Sequence, residues 1–138
     1  MRLRKNAKIE LIKSVPLFSS CTKKELEAIA AQADELIVPE GKALTKEGER
    51  GREFMVIVDG KAEVRKKGRR LNLLGAGDFL GEIALISGGP RTATVTTTSE
   101  TDILVLTDRA FSALTKKMPS IQASVLKALS ERLQADAI

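Results

Sequence analysis

Two charged residues in a glycine-rich stretch are the candidates for binding chemistry in this sequence. Residues 77–95 read GDFLGEIALISGGPRTATV, in which Glu82 follows a glycine and Arg91 follows Gly-Gly-Pro. The apolar run Ile83 to Ile86 is long enough for about one helical turn. The start of a helix offers free backbone N–H groups to a phosphate, and an arginine adds a charged donor. A carboxylate beside a phosphate is useful if it accepts a hydrogen bond from a sugar hydroxyl, so the pattern predicts a site for a sugar phosphate.

The backbone around these two charged residues would complete the site. The neighbouring residues expected to contact the phosphate are Gly81, Ile83, Ala84, Thr92 and Ala93. Glycine has no Cβ to keep a ligand away, the following amides are natural donors, and the threonine adds a hydroxyl. The same spacing is equally compatible with an exposed ion pair between Glu82 and Arg91 on an irregular loop.

Composition excludes several classes of catalytic and metal site. The chain of 138 residues has no His, one Cys, four Phe, and neither Trp nor Tyr. Without histidine there is no His-based general acid or base and no His-ligated metal, which also argues against a cupin-type enzyme on a similar barrel. A lone cysteine forms neither a disulfide framework nor a multi-cysteine metal site, so we interpret Cys21 as a packed residue. We therefore expect no metal and no catalysis.

The excess positive charge lies mainly at the N-terminus. Residues 1–14 contain five Lys or Arg and one Glu, which accounts for +4 of the formal net charge of +5. A basic tail is not the wide basic face that nucleic-acid binding needs, so we expect no nucleic-acid partner. The longest apolar runs have four or five residues, far short of a membrane span, and no signal peptide is visible. We expect a cytoplasmic protein with no membrane segment in this chain.

Hydrophobic periodicity predicts a β-rich region between helices. Short apolar or alternating runs predict strands at 35–38, 42–46, 53–58, 61–66, 70–74, 93–98 and 103–107. Asp59–Gly60 is typical of a two-residue hairpin, and Lys67–Gly68 of a turn. Helices are predicted at 6–15, from Thr22 with Glu25 completing a capping box, at 108–117 and at 120–134. The expected fold class is α+β, mostly β, with a jelly-roll barrel flanked by helices.

These elements divide the sequence into three parts of a single domain spanning residues 1–138. Residues 1–32 would form N-terminal helices, 33–107 the barrel that includes the stretch 77–95, and 108–138 the C-terminal helices. Pro16 should end the first helix, after which Leu17 and Phe18 would anchor the chain in a hydrophobic core.

The stretch 77–95 resembles the phosphate-binding cassette of the cyclic nucleotide-binding domain family of bacterial catabolite activators, cyclic-nucleotide-dependent kinases and cyclic-nucleotide-gated channels. It carries the pattern FGE-x-AL and PR-[ST/A]-A, with Leu80 where an aromatic or aliphatic residue is common. VPLFSSCTKKELEAIA is similar to the family's N-terminal helices, and EGERGREFMVIVDGKAEV to its glycine-marked hairpin. The resemblance covers nearly the whole chain and looks prokaryotic. It implies a jelly roll with a short phosphate-binding helix and a C-terminal lid helix.

The resemblance also implies roles for individual residues of the cassette. Those placed at the phosphate end are Gly81, Ile83, Ala84, Arg91, Thr92 and Ala93. The glycine and the two amides after Glu82 would contact the cyclic phosphate, and Arg91 would pair with its charge. Glu82 would accept a hydrogen bond from the ribose 2′-OH.

At the base end, the resemblance implies that Leu71 and Asn72 lie near the purine and that the C-terminal helix folds over it. Several relatives cap the base with an aromatic ring, which this sequence lacks there. Arg132 is the best substitute, stacking its guanidinium on the base or hydrogen-bonding to it, and the alternative is a solvated helix charge. The ligand would be cAMP or cGMP. Thr92 follows the arginine. In some relatives a threonine hydroxyl at this position favours cGMP, whereas in others a hydroxyl there occurs with cAMP as the ligand. We favour cAMP.

The expected function is a regulatory sensor module that closes its C-terminal helix over a bound cyclic nucleotide. The partner that would receive the signal, or a fused effector, is unknown, and a homodimer is left open. One alternative is a ligand-free structural or interaction domain of the same fold. Another is the cytosolic domain of a cyclic-nucleotide-gated channel, with the basic start of the chain as its linker. A DNA-binding basic tail ranks below both.

Overall fold

The computed structural model describes residues 4–81, 85–86 and 89–136, with only the backbone of residues 132–136. Four α-helices are present in this part of the chain: α1 (Lys5–Lys13), α2 (Lys23–Gln32), α3 (Asp108–Lys117) and α4 (Pro119–Asp136). A short 3₁₀ turn spans Pro16–Phe18. Its strands are β1 (Asp34–Val38), β2 (Ala43–Thr45), β3 (Glu53–Asp59), β4 (Ala62–Lys66), β5 (Arg69–Leu74), β6 (Phe79–Leu80), β7 (Thr94–Thr97) and β8 (Thr101–Thr107). None of the helices in these described ranges is both long enough and apolar enough to cross a membrane.

The chain forms two compact units, which we describe separately. The helical unit comprises residues 1–32 and 109–138, and the β unit comprises residues 33–108.

The β unit contains two four-stranded antiparallel sheets. Their strand orders are β1-β8-β3-β6 and β2-β7-β4-β5. One buried cluster draws side chains from both sheets: Met55, Ile57, Ala62, Leu80, Val95 and Ile103. Because strands alternate their side chains between two faces, each sheet turns one apolar face to this shared core. The predicted mostly-β jelly-roll class is therefore confirmed, in the form of a two-sheet sandwich with flanking helices.

One predicted hairpin is wrong. Asp59–Gly60 does not join two paired strands, because β3 belongs to one sheet and β4 to the other. Gly60 has φ +111°, and a Cβ there would lie 2.6 Å from Thr101 Oγ1 and 2.8 Å from the Glu100 carbonyl oxygen. The glycine therefore lets the chain pass tightly against the start of β8 as it changes sheets. The Lys67–Gly68 turn does join the paired strands β4 and β5, with φ +52° and +77° at its two residues.

In the helical unit, α2 begins with the capping box that the sequence predicts. The Thr22 N–H donates to Glu25 Oε1 over 2.8 Å, and the Glu25 N–H donates to Thr22 Oγ1 over 3.2 Å. Glu25 is buried, and Ser124 of α4 also donates to its Oε1 over 2.9 Å. Burial would raise the pKa of Glu25, but the Thr22 amide and the hydroxyls of α4 outweigh it and lower that pKa. The carboxylate therefore joins α2 to α4.

The core of the helical unit also contains the predicted anchors. Leu17 and Phe18 are fully buried in the turn after α1, and the Phe18 ring lies 6.1 Å from the ring of Phe111. Ile121 and Val125 supply the buried face of α4, as their i, i+4 spacing predicts. The first helix ends at Lys13, two residues earlier than predicted, because Pro16 starts a 3₁₀ turn of its own.

Candidate functional site

The backbone of residues 89–91 is held by the loop between β2 and β3. The Arg91 N–H donates to the Glu49 carbonyl over 2.7 Å, and the Gly48 N–H donates to the Arg91 carbonyl over 2.9 Å. Arg50 and Pro90 form an isolated antiparallel bridge beside these bonds. These contacts fix where the side chain of Arg91 leaves the backbone.

The Arg91 side chain then turns inward and is only 10% exposed. Its Nη2 donates to the carbonyl oxygen of Glu53 over 2.6 Å, and the same nitrogen lies 3.7 Å from Glu53 Oε2. Glu53 starts β3 and its side chain is 45% exposed. Arg91 is therefore not an exposed side chain, and the predicted alternative of an ion pair with Glu82 stays a prediction, because Glu82 lies outside the described residues.

Two glycines make room for this guanidinium. A Cβ on Gly51 would lie 2.1 Å from Arg91 Nε, and one on Gly81 would lie 2.2 Å from Arg91 Nη1. Gly81 also has φ +78°, and its Cβ would meet the Glu53 carbonyl oxygen at 2.6 Å. Any side chain at either position would therefore displace the arginine. The structure brings Gly81 and Arg91 together, and their contact with a phosphate stays a prediction.

Gly51 and Glu53 are the site residues that the sequence interpretation missed. Both belong to the stretch EGERGREF, which we noted only for its resemblance to a hairpin. A signal was present, because a glycine that lies between two arginines and just before an apolar strand is a candidate for close approach by another chain segment.

The residues after the arginine lie at the start of β7. Thr92 is exposed, and Ala93 is half-buried with its carbonyl accepting a hydrogen bond from Thr45 Oγ1 over 3.0 Å. The next residue, Thr94, accepts from the Glu47 N–H over 2.9 Å. The cassette end is thus tied to β2 and the loop that follows it, while Thr92 keeps its side chain free of packing.

The two residues expected near the base lie on the edge strand β5. Leu71 is 61% exposed. Asn72 pairs in register with Val64 of β4, and its Oδ1 accepts from the N–H of Leu73 over 2.8 Å. Their contact with a base stays a prediction.

Four of the predicted site residues cannot be placed by their side chains. Glu82, Ile83 and Ala84 lie outside the described residues, as does most of the predicted phosphate-binding turn. Arg132 lies on α4, where the structure describes the backbone alone. Their roles stay predictions. Among the described residues no group of His, Cys, Asp and Glu side chains could hold a metal ion.

The sequence and the fold of this chain were compared with those of known proteins. Residues 35–118 match the sequence family described as the cyclic nucleotide-binding domain. The chain is 37% identical over 123 residues to a cyclic nucleotide-gated potassium channel of Rhizobium etli, covering 89% of this chain and 34% of the channel. It is 35% identical over 114 residues to a cAMP-dependent protein kinase regulatory subunit of Mycosarcoma maydis, covering 76% of this chain and 22% of that subunit. The chain thus spans about a third or less of these two relatives.

A solved structure gives the same result at the level of the fold. The N-terminal domain of a transcriptional regulator from Streptomyces coelicolor A3(2) superposes with a TM-score of 0.83 at 27% identity, covering 92% of each chain. The match of the sequence family extends over more than half of the chain and takes in the whole segment that surrounds Arg91. The chain therefore belongs to the cyclic nucleotide-binding domain family.

Proposed function

We propose that this chain binds a cyclic nucleotide, with cAMP favoured over cGMP, and acts as a regulatory sensor module. The observation that carries the proposal is the nearly buried guanidinium of Arg91. It has five N–H donors, and the described residues supply it with one carbonyl acceptor and a carboxylate at 3.7 Å. A buried cation with unused donors is costly unless an anion completes its environment. A cyclic phosphate is such an anion, and the family of the chain supports that choice.

The remaining contacts follow the cassette pattern. Gly81 would let the phosphate approach closely, the amides of Ile83 and Ala84 would donate to it, and Thr92 and Ala93 would contact the same end. Glu82 would accept from the ribose 2′-OH, which explains a carboxylate next to a phosphate site.

The preference for cAMP rests on the comparison with a relative, and Thr92 is the residue that could reverse it. The kinase subunit that resembles this chain is named for its dependence on cAMP. Thr92, the residue whose hydroxyl could reach the amino group of guanine, is exposed and open to either nucleotide. If that hydroxyl selects cGMP, Thr92→Ala should weaken cGMP binding and leave cAMP binding unchanged.

The regulatory step would be a closure of α4 over the base, with Arg132 at the purine. A ligand shifts such an equilibrium only as far as it binds the closed state more tightly than the open one. We also propose that the nucleotide is bound and released unchanged, since the sequence offers no histidine for acid–base catalysis. The proposed location of the protein is the cytoplasm. Incubation with cAMP followed by chromatography should return cAMP and no 5′-AMP.

The decisive test is calorimetric titration of cAMP and cGMP into the chain and into Arg91→Ala. Loss of a buried ion pair should cost about 2–5 kcal/mol of binding free energy. Arg69→Ala is the matched control, because it removes the same charge from an exposed position on β5. Binding that is lost only in Arg91→Ala supports the proposal. No heat with either nucleotide, and no ligand-induced shift in melting temperature, would refute it in favour of a structural domain of the same fold.

A further inference from the structure

A strongly basic surface lies on the hairpin of β4 and β5, far in sequence from the N-terminal cluster, by which we mean the Lys and Arg residues of segment 1–14. Residues 61–74 contain six Lys or Arg and one Glu, a formal charge of +5 that equals the net charge of the whole chain. We call residues 65–73, RKKGRRLNL, the basic hairpin. All nine of these residues are exposed. The basic hairpin shares only Leu71 and Asn72 with the proposed nucleotide site, and their contact with a base stays a prediction; its cations lie outside the bonds and packing of Arg91.

Nearby acidic groups leave most of this charge uncompensated. Arg65 forms an ion pair with Glu63 and donates to the Gly68 carbonyl over 3.1 Å. Glu47 accepts from the backbone N–H of Lys67 over 2.9 Å. Within the described ranges the other four cations form no ion pair; they are Lys66, Lys67, Arg69 and Arg70. Like charges packed into one turn repel each other, so an anionic partner would be stabilised there.

The basic hairpin also exposes apolar side chains beside its cations. Leu71 and Leu73 are 61% and 56% exposed. Leu73 pairs in register with Glu63, whereas Val64 and Leu74 pack against the core of the β unit. Because side chains alternate between the faces of a strand, Leu73 points away from that core. Exposed leucines next to unpaired cations are typical of a surface that contacts both charge and hydrocarbon.

Two features argue against addition of a partner strand at this edge. The N–H of Leu73 bonds to the Asn72 side chain over 2.8 Å, so a donor of the β5 edge is already occupied. The register between β4 and β5 shifts between Val64 and Arg65, which interrupts the regular edge. Side-chain caps and bulges are devices by which edge strands avoid pairing.

A partner protein with a flat surface would contact one face of the basic hairpin and leave the cations of the other face without anionic partners. Both faces of the ribbon are exposed over the nine residues, and its cations alternate between them. A layer of lipid headgroups surrounds an inserted tip on all sides, so cations on both faces find partners. We propose that the basic hairpin docks on an anionic phospholipid bilayer, with its Lys and Arg side chains among the headgroups and its leucines at the hydrocarbon boundary.

The test is co-sedimentation of the whole chain with vesicles, without nucleotide. One set of vesicles is phosphatidylcholine, and the other is equal parts phosphatidylcholine and phosphatidylserine. The charge variant combines Lys66→Gln, Lys67→Asn, Arg69→Gln and Arg70→Gln, with Asn at the one position that has positive φ. Its matched control removes four charges from the N-terminal cluster by changing Arg4, Lys5, Lys8 and Lys13 to Gln.

We expect binding to the anionic vesicles only, weakened by about three orders of magnitude in the charge variant and little changed in the N-terminal control. Leu73→Ser should weaken binding about tenfold. Leu126→Ser, which changes a leucine of α4 that is 58% exposed, should not. Equal binding to neutral vesicles, an equal loss in the N-terminal control, or an unaffected Leu73→Ser would each overturn the proposal. Binding to duplex DNA or polyglutamate without binding to vesicles would overturn it in favour of another polyanion.

A second measurement needs no variant and therefore does not depend on folding of the charge variant. Trypsin cleaves after Lys and Arg, and the basic hairpin offers exposed sites at both ends of its turn. Anionic vesicles should protect these sites against limited digestion while neutral vesicles leave them open. Cleavage at the same rate with both kinds of vesicle contradicts docking of this hairpin. Because neither assay contains a nucleotide, their failure leaves the proposed nucleotide function untouched.

Discussion

Gly51→Ala gives a sharp test of how the fold positions Arg91. A Cβ on Gly51 would lie 2.1 Å from Arg91 Nε and 2.4 Å from its Cζ. The backbone of Gly51 does not have the positive φ that disfavours other residues, so alanine adds no backbone strain. The substitution therefore acts on one contact, between a new methyl group and the guanidinium.

The size of the effect follows from these distances. Non-bonded atoms rest about 3.5 Å apart, so Nε must retreat by more than about 1 Å. Nη2 would then lose its 2.6 Å hydrogen bond to the Glu53 carbonyl. The displaced guanidinium would also leave the position from which it is proposed to bond to the phosphate. A hydrogen bond of a charged group contributes about 1.5–3 kcal/mol, so a loss of at least about tenfold in nucleotide affinity is the expected result. The melting temperature should change less, because the displaced side chain can move toward solvent.

The assay is calorimetric titration of cAMP into Gly51→Ala, Arg91→Ala and the double variant. Since the clash requires the arginine, Gly51→Ala should add almost nothing in the Arg91→Ala background, and the two effects should be strongly non-additive. Gly75→Ala is the matched control, because Gly75 has open space around its missing Cβ and no positive φ. Unchanged affinity in Gly51→Ala, or simple additivity in the cycle, would refute the enclosure of Arg91 by Gly51.

Three further predictions concern other groups. Glu25→Ala removes the acceptor of the Thr22 amide and should lower the free energy of unfolding by about 2–3 kcal/mol in urea denaturation. Burial and Glu35 raise the pKa of Asp102 to about 6, so its contribution to stability is full below the ordinary value of 3.8 and is lost as pH rises through about 6. Asp102→Asn should flatten that pH dependence by about 1 kcal/mol, because the group is partly solvated; unchanged melting curves across this range would contradict the pairing. Burial and Glu25 raise the pKa of Cys21 to about 11, so iodoacetamide should label the folded chain much more slowly than the chain in urea.

Local patterns in the sequence predicted most elements of this fold, and the failures lie where distant segments decide. The capping box at Thr22 and the Lys67–Gly68 turn depend on neighbouring residues, and the structure contains both. The prediction of a hairpin at Asp59–Gly60 failed because β3 pairs with β8 whereas β4 pairs with β7, which places the two strands in different sheets. Strand β6 was missed because it has only two residues, which is too short a run to show any periodicity.

The charge of the basic hairpin was missed for a related reason. Counting charge outside residues 1–14 gives a nearly neutral remainder, because acidic residues elsewhere cancel the cations of residues 61–74. The net charge summed over a long segment does not reveal a turn that places five cations within nine exposed residues. Only the pairing of β4 with β5 shows that Arg65 and Arg70 lie opposite each other.

At the candidate site, the sequence indicated which residues carry the chemistry and left open what holds them. Arg91 was recognisable as a phosphate partner from its neighbours, but its position depends on Gly51 and Glu53, some 40 residues earlier in the chain. Enclosing a guanidinium there costs desolvation free energy, and the partners that the described residues supply, one carbonyl and a carboxylate at 3.7 Å, offset only part of that cost. A bound phosphate would offset more of this desolvation cost, so nucleotide binding and thermal stabilisation should arise from the same contact with Arg91. The two glycines therefore make room for the arginine, at some expense to the stability of the unliganded β unit.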